Sequence, residues 1–93
     1  MLIMEGGIDG REASLRARKY FEEVHGQLSV IAFTIEEVEY NENEGVWRIL
    51  CSFYPHINAQ SRVRYEVKLD GKEGKVLSVK QLPSKVELSA DNQ

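Results

Sequence analysis

Ninety-three residues, 42% apolar and 29% charged, are enough for one small domain. Such a chain buries roughly 60–65% of the surface it exposes when unfolded. The composition excludes a disordered chain, a collagen-like repeat and a disulfide scaffold, and the balance of 12 Lys and Arg against 15 Asp and Glu is not the basic footprint of a nucleic-acid binder.

The first element in chain order is a helix over about residues 9–25. Asp9 followed three residues later by Glu12 resembles a capping box. Ala13, Ala17, Tyr20, Phe21 and Val24 recur on one helical face. Gly26 fits the position past the helix end that calls for left-handed geometry, and His25 places a cation in the last turn. Glu12–Arg16, Arg18–Glu22 and Lys19–Glu23 are i,i+4 pairs of opposite charge.

After Gly26 the period falls to 2. Ile31, Phe33 and Ile35 share a strand face, and then the parity switches to Val38 and Tyr40, so a β-bulge is expected at Glu36-Glu37. Asn41 to Gly45 is a turn. Trp47, Ile49, Cys51 and Phe53 form the inward set of a second strand, and Pro55 to Ser61 is a loop. Val63, Tyr65, Val67 and Leu69 alternate with charged residues in a third strand. Asp70 to Gly74 is a second hairpin turn. A fourth strand runs from Val76 to Leu82 with Leu77 and Val79 inward. The expectation is an α+β domain of two layers, one N-terminal helix on a curled four-stranded antiparallel sheet. Residues 1–8 are read as a flexible leader, 9–82 as the domain and 83–93 as a polar tail.

The helix-Gly entry at Gly26 and the closing segment from Tyr65 through Asp70-Gly71-Lys72-Glu73-Gly74 to Leu77 resemble the PepSY domain. In that family an alternating strand ends in Asp, a turn Gly follows, and a short Val/Leu strand closes the hairpin. The resemblance covers roughly residues 12–80. It implies a cystatin-like arrangement and a non-enzymatic interaction or regulatory role, with no catalytic residue to transfer.

Read residue by residue, the chain holds no obvious reaction centre. Cys51 falls on the inward face between Ile49 and Phe53, where cysteine acts as a small hydrophobe. As the single cysteine it excludes an intrachain disulfide and fits a reducing compartment. His25 and His56 lack metal-ligand spacing, so neither a metal nor another cofactor is expected. The acidic run Glu36, Glu37, Glu39, Glu42 and Glu44 reads as a solvated edge without a compensating base, with one carboxylate of the bulge pair turned toward the helix as a minor alternative. Residues 1–7 show no basic region or signal-peptide core, and no stretch approaches the ~20 apolar residues of a membrane span, so a cytoplasmic protein without membrane contact is expected.

The outward set of the second strand is more apolar than a solvated face requires: Val46, Arg48, Leu50, Ser52 and Tyr54, joined by Val76 and Leu82 from the fourth strand. Its cover would be the Met1–Met4 leader, the Val86/Leu88 tail, a second copy or a partner. This points to a module, not an enzyme, that self-associates as a homodimer or docks a protein partner through Arg48, Leu50, Tyr54, Arg62 and Arg64. Two readings compete with it. One is a small-molecule pocket or enzyme between helix and sheet. The other is single-stranded nucleic-acid binding along the Arg62/Arg64 strand, which the net negative charge disfavours.

Overall fold

The computed structural model describes residues 7–83. Its helix α1 spans Gly10–His25. Asp9 caps it, Oδ1 accepting from the Glu12 backbone N–H at 2.8 Å. Glu12 turns its own carboxylate to Arg16, so the box is used in one direction. At the far end the Gly26 N–H donates to the Glu22 carbonyl. Gly26 has φ 89° and ψ 149°, which keeps the expected positive φ but is extended in ψ, a region open in practice only to glycine.

A 3-10 turn, Gln27–Ser29, leads into four strands: β1 (Ile31–Asn41), β2 (Val46–Tyr54), β3 (Val63–Asp70) and β4 (Val76–Leu82). They form one antiparallel sheet in the order β1-β2-β3-β4, as their short connections require. The α+β architecture of one helix on one open sheet is therefore the observed one.

The parity switch in β1 is a bulge. Ile35 pairs with Cys51 and Glu37 with Leu50, so Glu36 is the extra residue. Val38 and Tyr40 then lie opposite Ile49 and Trp47, on the inner side. Ile31 departs from the expected face: a further register shift lies between it and Thr34, and it pairs with Tyr54 instead of joining the core. Ala32, inside that shift, has φ 56°. Its carbonyl accepts from Arg62 at 2.8 Å and from the Thr34 hydroxyl at 3.1 Å, which holds a conformation that costs an alanine about 1–2 kcal/mol.

The core between the layers is Ala13, Ala17 and Phe21 from α1, Val30, then Ile49, Cys51, Phe53, Val67 and Leu69 from the sheet. Alanines let the helix backbone approach the sheet, and the aromatic rings fill the wider end. Val24 lies one turn past Phe21 and is 58% exposed, so the apolar stripe is longer than the surface covering it. Trp47, inward as expected, is only partly buried. It packs at the opposite end of α1, with its ring 4.9 Å from Tyr40 and its indole N–H donating to the Ile8 carbonyl at 3.1 Å. Ile8 is thereby tied to the sheet, its N–H also donating to the Gly71 carbonyl.

In β4 the inward residues are Val76 and Val79, opposite Leu69 and Val67. Lys68 pairs with Ser78 while Leu69 pairs with Val76, so Leu77 is the extra residue of another bulge. Leu77, expected inside, is 57% exposed, and Val76, expected on the outer face, packs on the core. One unmarked extra residue displaced the alternation by one position.

Candidate interaction face

The helix covers one side of the sheet, and the register decides which residues occupy the other. Arg48, Leu50, Ser52 and Tyr54 alternate with the buried Ile49, Cys51 and Phe53. Arg64 stands opposite Ser52, and Arg62 lies just before β3 with its guanidinium 4.6 Å from the centre of the Tyr54 ring. All five residues assigned to a partner surface therefore share one face.

That face is not the exposed apolar patch the sequence suggests. Leu50 is only 9% exposed and Ser52 is 1% exposed. Leu50 lies between Glu37 on β1 and Glu66 on β3, and both carboxylates reach Arg48. Arg48 Nε donates to Glu66 Oε2 at 2.6 Å, and its NH1 group donates to Glu39 Oε1 at 3.0 Å and lies 3.6 Å from Glu37 Oε2. The bond to Glu66 holds the Arg48 pKa above its ordinary value, partial burial opposing and the charges of Glu66 and Glu37 adding. On the other side of Leu50, Arg64 gives Nε and NH2 to one oxygen of Glu36 at 3.1 and 3.0 Å, and NH1 to the Pro83 carbonyl. Arg62 bonds the Ser52 carbonyl and hydroxyl at 3.4 Å as well as Ala32. Long polar side chains thus form a lattice with Leu50 beneath it.

Three of the five carboxylates in the acidic run consequently have compensating bases. Glu36 serves Arg64, and Glu37 and Glu39 serve Arg48, all within one chain. Neither carboxylate of the bulge pair turns to the helix: the bulge brings Glu36 and Glu37 to the outer side together. Sequence reasoning missed these partners, although a signal existed. With the bulge at Glu36, antiparallel pairing places Glu37 and Glu39 beside Leu50 and Arg48. The proposed covers Met1–Met4 and Val86/Leu88 lie outside the described residues.

On the inner side Cys51 is 1% exposed. Burial, aided by the negative charge of Glu36, pushes its thiol pKa up to about 12 from the ordinary 9.0. Two outcomes are expected. An aromatic disulfide reagent should label Cys51 slowly in the native protein and rapidly in denaturant, and fast native labelling would contradict its inward placement. Between about pH 9 and 12 the unfolded thiol ionises while the native one keeps its proton. The native state then binds more protons, and stability falls as pH rises by up to about 1.4 kcal/mol per unit. Cys51→Ala should lack that component in parallel urea titrations, and an identical alkaline slope in both proteins would refute it.

The space between helix and sheet is occupied by aromatic rings, Phe21 lying 4.9 Å from Tyr65 and 5.2 Å from Phe53 between centroids. Among the described residues no group of three or more His, Cys, Asp or Glu side chains is arranged to hold a metal ion. No helix there is long and apolar enough to cross a membrane. No family model, curated protein or solved structure matches the chain.

Proposed function

We propose that the protein is a non-enzymatic interaction module whose helix-free sheet face docks a second copy or another protein. The supporting observation is the fixed Arg/Tyr surface: Arg48, Tyr54, Arg62 and Arg64 are held in place by ion pairs and stacking before any partner arrives. Arg and Tyr are enriched at interface hot spots, and side chains already ordered lose less entropy on binding. Mutual neutralisation of the arginines and glutamates favours a protein surface of mixed charge over a polyanion. The cystatin-like and PepSY-like reading belongs to the same proposal, supported by the helix-Gly entry and the Asp70–Gly74 turn, as does a cytoplasmic location.

Self-association is the first form to test, by light scattering and concentration-dependent amide shifts. A dimer whose shifts map to β2 and β3, and which Tyr54→Ala/Arg62→Ala weakens at least about fivefold, is the expected result. A wild type that stays monomeric at millimolar concentration with unchanged shifts would remove the homodimer. Leu50→Asp is unsuitable for this purpose, because it buries a charge between Glu37 and Glu66 and unfolds the sheet it probes.

A further inference from the structure

The sheet has two edges, and they are treated differently. β1 carries two register shifts, the left-handed Ala32 and the charged Glu36, Glu37 and Glu39, all devices that discourage a further strand. β4 carries one bulge at its start and, over Val76–Leu82, a single charge, Lys80. At the start of β4 lies a shallow groove of about 270 Å³, walled by α1 on one side and by Gly74 and Val76 on the other. Arg16 closes one end by donating to the Glu73 carbonyl, and Lys19, Tyr20 and Glu23 face Gly74 and Val76. The helix advances in the same direction as β4: Arg16 meets the Glu73–Gly74 turn, and Phe21 meets Tyr65, which pairs with Gln81.

Glu12–Arg16 and Arg18–Glu22 close as ion pairs on α1, whereas Lys19 and Glu23 have no ion-pair partner among the described residues. Four residues of helix separate them by about 6 Å. That matches the roughly 6.6 Å between alternate side chains of an extended strand.

We propose that this groove takes an extended segment of another protein, added antiparallel to β4, with a basic and an acidic residue at positions i and i+2 facing α1. Running against the helix, the segment meets Glu23 with its base and then Lys19 with its acid. Apolar side chains at the flanking inward positions cover Tyr20 and Val76. Backbone hydrogen bonds supply affinity and the alternate side chains supply selectivity. A second copy is the poorer occupant: the inward residues of its β4 are Val76, Val79 and Gln81, which leave Lys19 and Glu23 unpaired.

The test uses two blocked nine-residue peptides, Thr-Val-Thr-Lys-Thr-Glu-Thr-Val-Thr and its charge-exchanged form Thr-Val-Thr-Glu-Thr-Lys-Thr-Val-Thr, titrated into the labelled protein. The first should bind roughly three- to tenfold more tightly, the range expected for exposed ion pairs, with shift changes and new amide protection along Val76–Leu82. Lys19→Glu/Glu23→Lys exchanges two exposed charges and should invert the preference. Saturable binding by neither peptide, or a preference that the double variant leaves unmoved, would overturn the proposal.

Discussion

Phe53→Ala is expected to cost about 3–5 kcal/mol of folding stability, the range for truncating a fully buried aromatic side chain. Phe53 is 1% exposed, with ring centroids 5.2 Å from Phe21, 5.7 Å from Tyr65 and 6.3 Å from Phe33. It joins the helix to three strands at once. Cavity collapse is hindered because Phe21 and Tyr65 sit on separate elements that already contact each other. Small domains have about 5–15 kcal/mol in total, so the variant should be marginal at room temperature. Urea unfolding with an unchanged m-value reads the loss directly. A loss below about 1 kcal/mol would put Phe53 at the surface and exchange the two faces of the sheet.

Gly71→Ala is expected to cost about 1–3 kcal/mol, although Gly71 does not have a positive φ. The reason is close approach. A β-carbon at Gly71 would lie 2.7 Å from the Gly45 carbonyl oxygen and 3.0 Å from the Tyr40 ring. The Gly71 N–H donates to that same Gly45 oxygen at 2.8 Å, and the Gly71 carbonyl accepts from Ile8. The two hairpin turns and the residues entering α1 are thus tied at one point. Backbone cannot swing aside as a lysine end can. Thermal unfolding measures the cost, and Trp47 emission reports the site, because displacing Ile8 removes the acceptor of its indole N–H. An alanine variant with an unchanged midpoint and spectrum would mean that the turns do not meet there.

Periodicity made the helix, the four strands and the bulge at Glu36 legible, because each leaves a mark in the spacing of apolar residues. The bulge at Leu77 leaves none: Leu77 and Val79 alternate without interruption, so nothing in the pattern shows that Val76 takes the inward place. The turn of Ile31 to the outer face is equally silent, since nothing in Ile-Ala-Phe announces that Ala32 takes a left-handed conformation. Sequence spacing also placed Arg48, Leu50, Tyr54, Arg62 and Arg64 on one face. What it did not reveal is that long side chains from neighbouring strands lie over Leu50. Exposure depends on the residues beside a strand, and those are set by register, which a single strand's pattern does not contain. Trp47 illustrates the same gap along the helix axis, where an inward direction was readable but the partners, Tyr40 and Ile8, were not.

The extra residues in β1 and β4 also say where this chain tolerates a change of length. Removing Glu36 leaves Ile35, Glu37, Val38, Glu39 and Tyr40, which alternate without interruption and keep every later side chain on its present side. Removing Leu77 does the same for Val76, Ser78 and Val79. Loss of Thr34 or Glu39 instead exchanges the two faces for part of the strand. The sheet thus holds single-residue slack at Glu36 and Leu77, and one-residue deletions there should leave a folded protein, whereas loss of Thr34 or Glu39 should not.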